Sequence, residues 1–190
     1  MNILTNSTST ALWHEIIHEA EATCRITLKE DIESYLVFLL MRYMNKPEFL
    51  KQIIALEFLE GVNSKSAKQR LTLQEVGDKC LLFAGLYPKI ADKKLVKISY
   101  FVNLGQACYV QISEKSNDLY EGLGRQFVSL MDVLQSIRQY TKHCPDLLPI
   151  QAYELWSDTG SHRALSILKQ YTQHSQGIPV LIDLKNTRNK

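Results

Sequence analysis

Apolar residues recur at helical spacing along most of this chain, and the breaks between them carry helix start and stop signals. From Ala11 to about Cys24, Leu12, Ile16, Ile17 and Ala20 share one stripe, with Ser9 or Thr10 placed as its N-cap. Thr27 with Glu30 three residues later predicts the start of a second helix, in the spacing of a capping box. Ile32, Tyr35, Leu36, Leu39, Leu40 and Tyr43 line one face of it, while Val37, Phe38, Met41 and Met44 fill another. A helix apolar nearly all round is expected to be central and packed on several sides. Pro47 restarts the chain at a first-turn position, and Phe49, Leu50, Ile53, Ile54, Leu56 and Leu59 predict a third helix that stops at Gly61.

The polar stretch VNSKSAKQ reads as a connection. A fourth helix follows through Leu71, Leu73, Val76 and Leu81 and ends near Gly85 and Pro88. Its run CLLFAGLY fits a buried helix or a buried strand, and helix is chosen because its neighbours are helical. Leu95, Ile98, Phe101, Val102, Tyr109 and Ile112 predict one helix from Lys93 to about Ile112, with Gly105 marking a close helix crossing. Asn117 or Asp118 caps the longest helix, whose seam is Leu119, Leu123, Phe127, Leu130, Leu134 and Ile137. Beyond Pro145 and Pro149 come a short helix at Gln151–Trp156, another from Ser161 to about His174 capped by Gly177, and an extended stretch at Ile178–Leu184.

These elements predict an all-α, single-domain array of about six to eight helices, bundle-like or orthogonal. Residues 1–9 form a loose tail, 10–145 the helical core, and 146–190 a helical appendage with an extended C-terminal tail in the same domain. At 190 residues the chain can bury a core without a disulfide or metal staple.

Composition narrows the function classes only slightly. Net charge is +2 and the pI about 8.3, which does not call for a nucleic-acid partner. The opening MNILTNSTSTALWHE lacks a basic region followed by an apolar one, so no secretory leader is expected. The strongest apolar run, Tyr35 to Met44, is interrupted by Arg42 and is too short to span a bilayer. Cys24, Cys80, Cys108 and Cys144 are scattered without a C-x-x-C pair, which points to reduced thiols and a cytoplasmic location.

One motif stands out. His14-Glu15-Ile16-Ile17-His18 matches H-E-x-x-H, in which two imidazoles one turn apart bind Zn²⁺ and the glutamate activates water. Its resemblance to zinc metalloproteases covers five residues. No substrate-binding sheet precedes it, the metzincin extension is missing, and Glu30 or Glu33 would be an arbitrary third ligand. The bland reading, the polar flank of an amphipathic helix, is preferred; no metal and no cofactor are expected. Glu15 to His18 also spells half of a di-iron E-x-x-H site, but no second copy exists. His143-Cys144-Pro145 contains a Cys-Pro dipeptide seen in haem-responsive proteins, though a helix C-terminus accounts for it. Leu71–Val76 opens like a helix-turn-helix, but CLLF falls where the glycine turn should be.

Arg42, Asp78 and Asp132 are the other candidates. Each carries a charge beside apolar runs, so each needs a partner if enclosed. The preferred reading is a structural ion pair of Arg42 with one aspartate; the alternative is an anion pocket anchored by Arg42. The segments ESYLVFLLMR at Glu33–Arg42, VGDKCLLFAGLYP at Val76–Pro88, ISYFVNLGQACY at Ile98–Tyr109 and LMDVL at Leu130–Leu134 resemble a family of bacterial conserved hypothetical proteins, over about Trp13 to Tyr140. The resemblance implies a bacterial cytosolic origin and no catalytic residue.

No complete catalytic constellation emerges, so the chain is expected to be a non-enzymatic interaction or scaffold protein. Its expected partner is protein, a second copy included, rather than a membrane or nucleic acid. A zinc-dependent hydrolase using His14, Glu15 and His18, and a small-anion binder centred on Arg42, are the alternatives.

Overall fold

In the computed structural model, which describes residues 8–43, 46, 48, 51, 54–63, 66–93, 95–113, 118–142 and 147–174, the regular elements are all α-helices. They run α1 Ser9–Cys24, α2 Glu30–Tyr43, α3 Ile54–Asn63, α4 Ser66–Gly85, α5 Lys89–Lys93, α6 Ile98–Ile112, α7 Leu119–Arg125, α8 Phe127–Lys142, α9 Pro149–Thr159 and α10 His162–His174. Among the described residues no helix is long and apolar enough to cross a membrane. Cys144, the Gly177 cap, the stretch at Ile178–Leu184 and most of the 1–9 tail lie outside the described residues.

Among the described residues the helix count exceeds the expected six to eight because one predicted helix is divided and one short helix is not among those expected. The helix predicted from Lys93 starts only at Ile98 as α6, and the short α5 precedes it, with Leu95 between them at φ 55°. The predicted longest helix divides at Gln126, just past Gly122 and Gly124. Glycine lowers helix propensity by about 1 kcal/mol, and these two let Ile32 and Val110 approach to within 3.0 and 3.1 Å of where a Cβ would stand.

The longest helix is α4, and it also takes the central place expected for α2. Every residue from Val76 to Leu86 is buried, so the C-terminal half of α4 is enclosed all round, with α3, α6 and α8 packed on the helix. The run CLLFAGLY is therefore helical through Gly85, and its lack of periodicity reflects burial on every side. By contrast α2 keeps an open face: Phe38 is 59% exposed and Arg42 is exposed too.

Several boundaries shift from their sequence positions. Thr8 rather than Ser9 or Thr10 caps α1, accepting from the Ala11 N–H at 3.3 Å. Arg25 closes that helix in the left-handed region. The start of α2 is Glu30, three residues beyond Thr27, with the Lys29 carbonyl accepting from Glu33 N–H. Gly61 does not stop α3; it lies inside the helix, where a Cβ would meet Leu73 at 3.0 Å. Much of the polar connection VNSKSAKQ is the first turns of α4. Asp118 caps α7 through Glu121 N–H at 2.7 Å.

Asp132 joins the last two helices to the core. Its Oδ1 accepts from the Ser161 hydroxyl at 2.6 Å and its Oδ2 from Arg163 N–H at 3.2 Å. Ser161 in turn accepts from Ala164 N–H at 3.0 Å, so the buried aspartate and serine together satisfy the first amides of α10.

Candidate functional site

Three places collect chemistry or unusual exposure, and each grows from a simple feature of its helix. The first is built on α1. Residues i, i+4 and i+7 of a helix lie along one stripe, which here aligns His14, His18 and Glu21. Glu33 of α2 meets that stripe: its Oε1 lies 2.8 Å from His14 Nδ1 and 3.2 Å from His18 Nε2. Glu21 Oε2 lies 3.2 Å from His18 Nδ1, while its Oε1 accepts from Leu28 N–H at 2.6 Å. Both carboxylates are buried, and the His18 side chain above them is 66% exposed. Glu15, about 100° round the helix from His14, is exposed and not among the converging groups; Glu30 is likewise exposed.

The second place surrounds Asp78, which has no solvent exposure. Its Oδ1 accepts from the Tyr35 hydroxyl at 2.6 Å and the Tyr109 hydroxyl at 2.8 Å. Its Oδ2 receives no hydrogen bond and faces Arg42 at 3.5 Å. Tyr35, Tyr109 and Tyr120 stand with ring centroids 6.2 to 6.4 Å apart, and Arg70 lies 5.2 Å above the Tyr120 ring. Burial pushes the Asp78 carboxyl up to about 6, against the pull of the two phenols and the Arg42 guanidinium.

Arg42 is therefore placed with Asp78, while Asp132 serves α10. The Arg42 side chain is 49% exposed, so it spans from solvent to a buried carboxylate rather than lying enclosed. Burial also raises Asp132, opposed by its bonds to Ser161 and Arg163. Of the thiols described, Cys80 and Cys108 are buried and Cys24 half-buried; burial holds Cys80 well above its ordinary range and pushes Cys108 up to about 12. Thiols so raised are poor nucleophiles.

The third place is the outer face of α3. Ile54 is buried, Phe58 packs on the core and Gly61 abuts α4. The other side presents Leu56, Leu59 and Val62 at 60, 55 and 38% exposure, with Ala55 exposed beside them. The two acidic residues of α3 are drawn toward α4, Glu57 to Lys79 at 2.7 Å and Glu60 to Lys68 at 2.9 Å. The outer ridge of Leu56, Leu59 and Val62 is thus apolar, with the exposed Glu60–Lys68 pair at its edge. A groove of about 490 Å³ lies elsewhere, between α5, the start of α6, and α9. Lys97 and Ser99 both reach Asp158 on its wall, at 3.3 and 3.1 Å.

The sequence names His14, Glu15, His18, Arg42, Asp78 and Asp132, with Glu30 or Glu33 as an arbitrary third ligand; the fold brings Glu33 but neither Glu15 nor Glu30 to the histidines, Arg42 to Asp78, and Asp132 to α10. Sequence reasoning misses Glu21, Tyr35 and Tyr109. Glu21 could have been found from its place seven residues past His14 on the same stripe. Helical spacing places the tyrosines in the core, yet a buried phenol needs a hydrogen-bond partner, and a lone buried aspartate needs donors. No protein family, curated protein or solved structure matches this chain. The functional reading rests on these residues themselves.

Proposed function

We propose that the chain is a non-enzymatic helical interaction protein that assembles with a second copy of itself through the outer face of α3. The observation that supports this reading is the uncharged ridge of Leu56, Leu59 and Val62. A surface helix ordinarily shows one apolar stripe toward the core and polar residues outside. On α3 the apolar character continues round to the outside, so burial against α4 uses only half of it. Contiguous exposed apolar surface marks interaction sites.

A second copy fits because a two-fold axis sets the apolar ridge against itself, and the flanking Glu60 is already neutralised by Lys68. Burying one leucine is worth roughly 1.5–3 kcal/mol, so the two on each ridge favour association. The ridge is short, so the contact belongs to the small, weak class of interfaces, with dissociation in the micromolar range or above.

The alternatives are less well supported by the geometry. A hydrolase of the H-E-x-x-H kind needs its glutamate over the metal-bound water, and Glu15 faces solvent away from the converging groups. An anion pocket needs Arg42 aimed at a ligand, and Arg42 is directed at Asp78. Amide hydrogen exchange tests the reading: α3 amides should gain protection as protein concentration rises, while those of α10 should not. Exchange in α3 independent of concentration would count against it.

A further inference from the structure

We propose that His18, Glu21 and Glu33 hold one divalent first-row transition-metal ion that clips α1 to α2, with His14 beside them against Glu33. This lies beyond the interaction function and does not depend on it. The first argument is charge. Two carboxylates are buried side by side, and among the described residues no lysine or arginine lies within salt-bridge reach of either. Buried charges are ordinarily paired or coordinate metals. One divalent cation balances both glutamates.

The second argument is hydrogen-bond chemistry at His18. Its Nδ1 and Nε2 each stand 3.2 Å from a carboxylate oxygen. A neutral imidazole has one N–H donor and one lone pair, so one of those contacts sets a lone pair against an anion. A cation bound at one ring nitrogen relieves that contact and leaves the other nitrogen to donate its hydrogen to the carboxylate it faces. Ligating atoms of His18, Glu21 and Glu33 all lie within 4.8 Å of one another, and His14 Nδ1 lies 2.8 Å from Glu33. Bonds of about 2.0–2.2 Å to zinc place neighbouring tetrahedral ligands about 3.4 Å apart, so only small side-chain shifts are needed.

The third argument is preorganisation. Leu28 N–H holds Glu21 Oε1 at 2.6 Å and leaves Oε2 turned toward His18. Such outer hydrogen bonds orient ligating carboxylates. The carboxylates form the floor and the more exposed imidazoles the rim, which gives an ion a path from solvent. An imidazole nitrogen with two carboxylate oxygens suits Zn²⁺, Fe²⁺, Co²⁺ or Mn²⁺; Ca²⁺ and Mg²⁺ prefer all-oxygen shells.

The test uses the full chain stripped of metal by a chelator. Calorimetric titration with Zn²⁺ should give one equivalent per chain, a raised melting temperature, and no comparable binding of Ca²⁺. His18→Ala should abolish stoichiometric binding, and Glu33→Gln should weaken it by more than about tenfold, with unchanged far-UV circular dichroism. His18 is largely exposed, so its replacement spares the fold. Co²⁺ in the wild-type chain should show visible d–d bands without a thiolate charge-transfer band, a readout that needs no variant. Absence of stoichiometric Zn²⁺ binding, full binding in His18→Ala, or a thiolate band placing the metal on cysteine would each overturn the proposal.

Discussion

Tyr109 donates its hydroxyl hydrogen to Asp78 Oδ1 over 2.8 Å, from a residue with no solvent exposure. Tyr35 donates to the same oxygen from another helix. Because Tyr35 is on α2, Asp78 on α4 and Tyr109 on α6, one carboxylate oxygen fixes the relative register of three helices. A polar group in this position is useful only if satisfied, since burying it unpaired costs on the order of several kcal/mol. Asp78 is half-way there: Oδ1 has two donors, while Oδ2 has only a guanidinium beyond hydrogen-bond geometry.

The first prediction concerns pH. The Asp78 carboxyl is raised to about 6 in the folded chain, against an ordinary value of 3.8. The folded state thus holds this proton more tightly than the unfolded state. Its contribution to stability is complete below about pH 4 and is lost as pH rises through about 6, amounting to roughly 3 kcal/mol. Urea unfolding of wild type and Asp78→Asn across pH 4–8 should show that the variant removes this segment of the pH dependence. Identical slopes in the two proteins would contradict the assignment.

Arg42 offers a second test. A fully enclosed pair would lose ~3–5 kcal/mol on removal of one partner. With half its side chain in water, Arg42→Ala should cost only about 1 kcal/mol. The cost should be greater at pH 8, where Asp78 is ionised, than at pH 4.5, where it is protonated. A double-mutant cycle with Asp78→Asn should give coupling at pH 8 that fades at pH 4.5; coupling that ignores pH would rule out the charge pair.

At Gly105 the prediction concerns packing. A Cβ there would lie 2.4 Å from Cε2 and Cζ of Phe127 and 3.0 Å from Cys80 Cβ. Alanine gains about 1 kcal/mol of helix propensity, but overpacking of a dense core costs ~1–3 kcal/mol or more. Gly105→Ala should therefore lower the urea midpoint, and Phe127→Leu should recover part of the loss in that background. A midpoint raised by Gly105→Ala would mean that α6 and α8 are not so close.

Much of the fold is legible in the residues because helical spacing is a local property. Gly105 was readable as a crossing since glycine inside an apolar helix has few other uses. The central place falls to α4 rather than α2 for a physical reason: α2 is apolar nearly all round, yet Phe38 and Arg42 face solvent, while α4 buries Asp78 and Lys79, charges that a local pattern does not place inside. Those two are tolerated inside because Tyr35, Tyr109 and Glu57 reach them from other helices, which no local pattern reveals. Glu33 likewise became a neighbour of His14 and His18 only through the packing of α2 on α1.

Asp132 carries the prediction for the C-terminal helices. It accepts from Ser161 and Arg163 at the start of α10. Asp132→Ala should cost about 1–2 kcal/mol, as the loss of a capping acceptor does. The loss should be local: amides at the start of α10 should exchange faster while those of α4 and α6 keep their protection. Uniform acceleration along the chain would show instead that α10 folds in one cooperative unit with the core.

Sedimentation equilibrium over a wide range of protein concentration tests the proposed assembly most directly. The wild-type chain should move from monomer to dimer, in the micromolar range or above, and Leu56→Glu with Leu59→Glu should remain monomeric with its helical spectrum intact. Wild-type protein that stays monomeric at the highest concentrations, or a double variant that dimerises as well as wild type, would contradict assembly through α3.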